Sequence, residues 1–174
     1  MATTGKIRSN AIGVYISNTA VPNTGTAPTG ATYGDNAWED DTFELIACAT
    51  SGTFSGSREV IDATTKDNDG RREILAGGSS WSVSAEGLIE YGLAGTVRSN
   101  ADLFDLWNNN TRVRLAWTTG VDGDVMYYGN AFITSYEESA ATNEVASYSV
   151  TFEGDGSITK AIIGAATTFN NNND

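Results

Sequence analysis

Two stretches of the chain bring acidic or amide oxygens close enough together to suggest chemistry. Asp67-Asn-Asp-Gly70 spaces carboxylate and amide oxygens as a calcium loop begins, but the later ligands of an EF-hand loop do not follow. Asp, Asn and a closing Gly are equally the residues of a tight turn, and the turn reading is preferred. Glu137 and Glu138 are adjacent acids. Glycoside hydrolysis needs two carboxyl groups on opposite sides of one bond, so neighbours in a polar turn read instead as a solvated bend. The chain has no His, which removes the Ser-His-Asp triad and any imidazole metal site. No Gly-rich phosphate loop precedes a helix. The lone Cys48 lies in an apolar run and is expected to be a small buried hydrophobe, not a nucleophile. These residues imply no enzyme chemistry, no metal and no cofactor.

What remains is a scaffold, and composition says which kind. A chain of 174 residues has room for one domain with a real core, so 1–174 is read as a single unit. Nineteen Gly, two Pro and 40% hydrophobic residues fit short strands joined by turns. No apolar run approaches the roughly 18 residues of a membrane span, and Met1-Ala-Thr-Thr-Gly-Lys-Ile-Arg8 lacks an apolar signal segment. The expectation is a soluble protein made in the cytoplasm, without membrane insertion. The net charge of −12 is spread along the chain and argues against tight nucleic-acid binding, which relies on Lys and Arg at phosphates. A wall that repels phosphate lets a polyanion slide past, although the same charge can serve solubility alone.

Periodicity places the elements. Ile12, Val14 and Ile16 share one face of a first strand. The segment 18–41 is rich in Gly, Thr, Pro, Asn and Asp and reads as a long loop, a feature that usually has a job. Phe43–Cys48 and Phe54–Ala63 are further strands, the second expected to be covered on both faces, and 66–78 reads as a polar loop. From Ser79 to Tyr91, Trp81, Val83, Ala85, Ile89 and Tyr91 hold one parity while Ser82, Ser84, Glu86 and Glu90 hold the other. That is a strand with a dry and a wet face. Ser99 or Asn100 can cap a helix with Asp102 in its first turn, and Asn108-Asn-Asn110 ends it. Val113, Leu115 and Trp117 alternate next, and Asp122-Gly123 signals a hairpin into Val125–Tyr136. A closing strand sets Tyr148, Val150 and Phe152 against Ser147, Ser149, Thr151 and Glu153. The tail 161–174 is too polar to build a core by itself.

The order of parts resembles the major tail tube proteins of long-tailed bacteriophages, stacked ring-forming subunits through which phage DNA leaves the capsid. The resemblance runs from about Ile12 to Gly156. It rests on the strand Glu59-Val-Ile-Asp-Ala-Thr-Thr65, the polar loop, the alternating strand, the single helix and a closing strand ending in Phe152-Glu-Gly-Asp-Gly-Ser157. It implies a mainly β fold: a two-sheet antiparallel β-sandwich or barrel, one short flanking α-helix at about 99–108, and hexameric rings whose inner sheets join into one barrel. Such proteins do no catalysis and need no cofactor. The wet faces, represented by Glu86, Glu90 and Glu153, would line the channel. Asp67, Asp69, Arg71, Arg72 and Glu73 in the loop 66–78 would touch the next ring, and Leu103, Phe104, Leu106 and Trp107 would pack the helix onto the sandwich. The implied partners are further copies of the chain, tail tip or baseplate proteins and tail terminator proteins, with tape measure protein and DNA transiently in the lumen. The implied location is the virion tail, assembled in the cytoplasm of the bacterial host. A type VI secretion-like tube protein and a capsid-decorating or adhesin β-sandwich share the pattern. A carbohydrate-binding module would need Trp residues on an exposed flat face, whereas Trp81, Trp107 and Trp117 fall on expected core faces.

Overall fold

The strand periodicities build a single curved sheet, seen in a computed structural model that describes residues 7, 12–18, 42–64, 71–91, 97–164 and 168–170. The elements are β1 (Gly13–Ser17), β2 (Thr42–Leu45), β3 (Ala49–Asp62), β4 (Ile74–Leu88), α1 (Asn100–Asn108), β5 (Val113–Thr118), β6 (Val125–Ser139), β7 (Ser147–Gly154), β8 (Thr159–Ile162) and β9 (Thr168–Asn170). The nine strands run in the order β3-β4-β7-β6-β5-β1-β2-β9, with β8 paired to β6. Every pairing is antiparallel except β2 with β9.

The mainly β class with one helix is borne out, and its two layers are parts of one open hydrogen-bonded sheet. The reason is β6, which pairs with β5 over Tyr127–Ala131 and with β7 over Ala131–Ser139, carrying hydrogen bonding from one layer into the other. A bulge between Ile133 and Ser135 adds the local bend such irregularities supply. The sheet curls until distant strands touch. Phe54 on β3 stacks on Tyr127 of β6 (ring centroids 5.9 Å apart) and leans on Trp117 of β5 (6.4 Å).

Inside the curl lies the main core, with Val14, Ile16, Ile46, Trp81, Val83, Leu103, Leu115, Ile133, Val150 and Phe152. A second cluster of Tyr15, Phe43, Ala116, Met126 and Ile163 packs on the other face of β1 and β5. Strand β1 is therefore buried on both faces, beyond the single face that alternation indicated. Trp81 fixes the centre. Its Nε1 donates to the Gly156 carbonyl at 3.0 Å, and its ring lies so close to Gly154 that a Cβ there would sit 2.1 Å from Trp81 Cε2.

Four expectations need correction. The loop 66–78 ends sooner, because Ile74–Gly78 already belong to β4 and pair with the far end of β3. Strand β3 is exposed along its length apart from the half-buried Phe54, since it is the outermost strand of the sheet and its distal half is a two-stranded ribbon with β4. The tail 161–174 is not merely polar: β8 pairs with β6, and β9 pairs with β2 and lays Phe169 against Phe43 and Tyr15. Cys48 is half-exposed in a turn at φ 52°, not in a strand. Of the loop 18–41, all but Asn18 lies outside the described residues.

Trp81→Ala should cost about 3–5 kcal/mol of stability in urea unfolding of the monomer, the usual range for a buried aromatic truncated to Ala. Gly154→Ala should cost about 1–3 kcal/mol through overpacking. A Gly154→Ala protein as stable as wild type would show that the Trp81 ring is not held where the fold places it.

Candidate functional site

The four strands β3, β4, β7 and β6 turn one face to the core, so alternation dictates what the other carries. Their registers align rows across the sheet. Ser51, Glu86, Ser149 and Glu137 form one row, then Thr53, Ser84, Thr151 and Ser135, then Ser55, Ser82, Glu153 and Phe132. Ser57 and Ser80 extend the face with hydroxyls 2.8 Å apart, and Ser51 Oγ donates to Glu86 Oε2 at 3.2 Å. Hydroxyls, three carboxylates and the half-buried Phe132 make up this surface, and none of the three rows contains Lys or Arg. A shallow depression in it is lined by Ser55, Ser57, Ser80, Ser82 and Glu153. Among the described residues, no group of three or more His, Cys, Asp or Glu could hold a metal ion. Such a face offers weak neutral hydrogen bonds and fixed negative charge, which repels polyanions.

Of the wet-face residues read from the sequence, Glu86 and Glu153 lie in these rows, and both are exposed. Glu90 follows β4 and accepts a hydrogen bond from Cys48 Sγ at 3.0 Å. That bond, with burial and the carboxylate charge behind it, pushes the thiol up to about 11. Sequence reasoning missed Ser51, Thr53 and Ser55, because β3 has no apolar alternation to reveal its faces. It also missed Glu137, whose parity matches Ser135.

The distal halves of β3 and β4 form an arm. Strand β7 pairs with β4 only from Ser82 to Leu88, so Ile74–Trp81 and their β3 partners extend beyond it, on the order of 25 Å at about 3.3 Å per residue. Arg71, Arg72 and Glu73 are exposed at its end, and Asp67 and Asp69 lie outside the described residues. Arg72 Nε is 3.5 Å from Asp62 Oδ2. Hydrogen bonds from the Thr64 side chain and main chain hold the Asp62 carboxyl below its ordinary range, with Arg72 adding to them. The Glu73 carbonyl accepts from the Ala63 N–H at 3.0 Å, closing the ribbon.

Helix α1 starts in a capping box: Ser99 Oγ accepts from the Asp102 N–H, and Asp102 Oδ2 accepts from the Ser99 N–H at 2.9 Å. Its expected apolar stripe divides. Leu103 is fully buried and Leu106 partly so. Phe104 and Trp107, expected on the core, remain 44% and 41% exposed. They cluster with Tyr136 of β6 at centroid distances of 5.8 to 6.5 Å, because the nine-residue helix covers the end of the core with one side only. The Tyr136 hydroxyl reaches Glu138 Oε1 (2.5 Å) and the Asn100 carbonyl (3.1 Å), and Asn100 Nδ2 donates to the same carboxylate at 3.0 Å. These bonds, Tyr136 first and then Asn100, hold the Glu138 carboxyl below its ordinary range. Burial first, and then Glu138, push the Tyr136 phenol up. Glu138, read from the sequence as half of a solvated acidic bend, ties the helix to the sheet.

A sequence profile of the family described as phage tail tube protein matches residues 33–160. No curated protein matches the chain in sequence. Among solved structures, the chain is similar to one from the tail of an empty gene transfer agent particle refined with C6 symmetry, with 20% identity, TM-score 0.64, and 90% of this chain and 99% of that chain covered. It is similar to a chain of the SPP1 tail tube at 15% identity and TM-score 0.64, covering 92% and 82%. A chain from the six-fold symmetrised anti-feeding prophage baseplate aligns at 11% identity and TM-score 0.57, covering 94% and 99%.

Because the folded Glu138 carboxyl titrates below its unfolded value, its contribution is fully present above an ordinary Glu pKa of about 4.3. It is lost as pH falls through the lower folded value. Glu138→Gln should therefore reduce stability at pH 7 and reduce the loss on acidification below pH 4, followed by thermal unfolding. Equal acid sensitivity in the two proteins would contradict this. Glu90→Gln should speed alkylation of Cys48 at pH 8, since the wild-type thiol stays protonated there. Unchanged alkylation would discount the Cys48–Glu90 hydrogen bond.

Proposed function

The chain belongs to the phage tail tube protein family, and from that premise we propose that six copies close into a ring whose hydroxyl and carboxylate faces line a DNA channel. The chain is a structural subunit of the tail tube, and on this reading it performs no catalysis and needs no cofactor.

The observation that carries the reading is the pair of open edges on one four-stranded sheet. Among the described residues, no strand pairs with the outer side of β3. None pairs with the second side of β6 beyond Ala131, where β5 stops. Three antiparallel steps separate these edges, so β3 runs opposite to β6. The β3 edge of one copy can thus lie antiparallel against the β6 edge of the next, continuing the same face around a ring. Closure removes edges that would otherwise template aggregation. The C6 symmetry stated for the gene transfer agent tail supports six as the number.

In such a ring Glu86, Glu90 and Glu153 belong to the lumen wall, where carboxylates repel the phosphates of passing DNA. Arg71, Arg72 and Glu73 at the end of the arm, together with Asp67 and Asp69 of the preceding sequence, are the residues proposed to touch the next ring. Leu103 and Leu106 anchor the helix. The partners are other copies of the chain, tail tip or baseplate and terminator proteins at the tube ends, and tape measure protein and then DNA inside. The site of action is the virion tail, and assembly takes place in the host cytoplasm.

Negative-stain microscopy of concentrated protein should show six-fold rings or tubes; a strictly monomeric chain would overturn the reading. Screening acts over about 8 Å at physiological salt, so only wall residues matter much. Changing Glu86, Glu90 and Glu153 to Lys should leave tubes intact yet slow DNA release severalfold, because phosphates gain fixed cations. Release at the wild-type rate would remove these three residues from the lumen.

A further inference from the structure

The aromatic cluster of Phe104, Trp107 and Tyr136 stands beside the edge of β6 that β5 leaves unpaired. Tyr136 lies past Ala131, where pairing with β5 ends, and its partner on β7 is the buried Val150. Its ring therefore rises on the face opposite the hydroxyl rows, where Phe104 and Trp107 of α1 meet it. Aromatic rings left nearly half exposed at an open sheet edge mark a contact surface. The other open edge carries a complement to them. On β3, Gly56 pairs with the buried Trp81 and so faces the same side of the sheet as the cluster, yet among the described residues no atom lies within 4 Å of where its Cβ would stand. Arg58 follows on that face, exposed and in none of the ion pairs of the described residues.

The stagger of a closed barrel brings the two features into register. Strands tilted by roughly 35–45° slip past one another by about one residue per strand, at a rise of about 3.3 Å and a spacing of about 4.8 Å. From β3 of one copy through β4, β7 and β6 to β3 of the next, the slip comes to about four residues, an even number that keeps hydroxyls facing hydroxyls. The row that runs from Ser51 through Glu86 and Ser149 to Glu137 then continues onto Ser55 of the next copy, not onto its Ser51. A slip in the other sense would carry that row past Ala49, where β3 begins, and leave most of the β6 edge bare. The register that covers the edge sets Gly56 of the next copy across from Tyr136.

We infer that neighbouring copies within a ring meet with this slip, so that Phe104, Trp107 and Tyr136 of one copy cover Gly56 on β3 of the next. Glycine suits the contact because a larger side chain would fill the space the rings enter. Arg58 of the next copy, diagonal to Tyr136 and so within reach of an aromatic side chain, lays its guanidinium over the ring faces, a favourable placement for a cation. Hydroxyl rows then run unbroken along one side of the seam, and the aromatic cover shields the other from water. The inference rests on the proposed ring but goes beyond it, because free edges by themselves set neither the register nor what covers the seam.

Two measurements test it. In a Cys48→Ser background, Ser55→Cys with Glu137→Cys, both at exposed positions, should give disulfide-linked multiples of the chain on non-reducing gels after oxidation with diamide, whereas Ser51→Cys with Glu137→Cys should give none. Gly56→Phe should lower the yield of rings at least tenfold with far-UV circular dichroism unchanged, while Gly78→Phe, equally unhindered among the described residues, should leave ring closure intact. Cross-links from the Ser51 pair in place of the Ser55 pair, rings at wild-type yield from Gly56→Phe, or equal losses from the two Phe variants would overturn the inference while leaving the ring reading intact. A wild-type chain that never leaves the monomer would overturn both.

Discussion

The fold depends on the length and pairing of β6. This strand bonds to β5 on one side and to β7 and β8 on the other, so it serves the outer layer with its first half and the four-stranded layer with its second. Were it shorter by its last turns of pairing, β7 and β4 would lose their link to the rest of the sheet, and the core between the layers would open. The bulge at Ile133–Ser135 is placed where the change of layer occurs. Because β5 pairing stops at Ala131, the same arrangement leaves the far half of β6 without a strand on that side among the described residues.

Charge and hydroxyl placement follow from that sheet. Packing Trp81, Val83, Val150 and Phe152 inward forces Ser82, Ser84, Thr151 and Glu153 outward, because successive residues of a strand face opposite sides. A surface of small hydroxyls makes few strong contacts, and its three carboxylates exclude anions over a distance set by salt. Cations are placed elsewhere. Arg98 is paired with Glu44 and Arg112 with Asp155, each at 2.7 Å, away from the hydroxyl rows. Arg58, Arg71 and Arg72 lie on or at the end of the arm. The net charge of −12 is spread along the chain, and the hydroxyl rows take from it Glu86, Glu137 and Glu153.

Helix α1 shows how a polar tie and an apolar plug divide the work. Leu103 is driven into the core, while the Glu138–Tyr136–Asn100 hydrogen bonds orient the helix against β6. Its outer aromatic pair stays accessible at little cost, since apolar atoms make up much of any folded surface.

Much of this was legible in the residues themselves. The parity of Trp81 to Glu86 and of Tyr148 to Glu153 determined two strands and their wet faces, and Ser99 with Asp102 determined where the helix begins. The absence of His determined that no imidazole chemistry occurs. Tertiary structure alone decided the rest. Phe54–Ala63 reads as a strand, but only pairing with β4 carries it back to Ala49 and defines its faces, since its Ser and Gly residues hold no periodic signal. Only the parallel edge on β2 gives Phe169 a place. Only the proximity of Asn100, 38 residues away in sequence, turns Glu138 from a surface acid into a structural tie. Local propensity is written in neighbouring residues, whereas an edge, a packed ring or a shared proton needs partners that only the folded chain brings within a few ångströms.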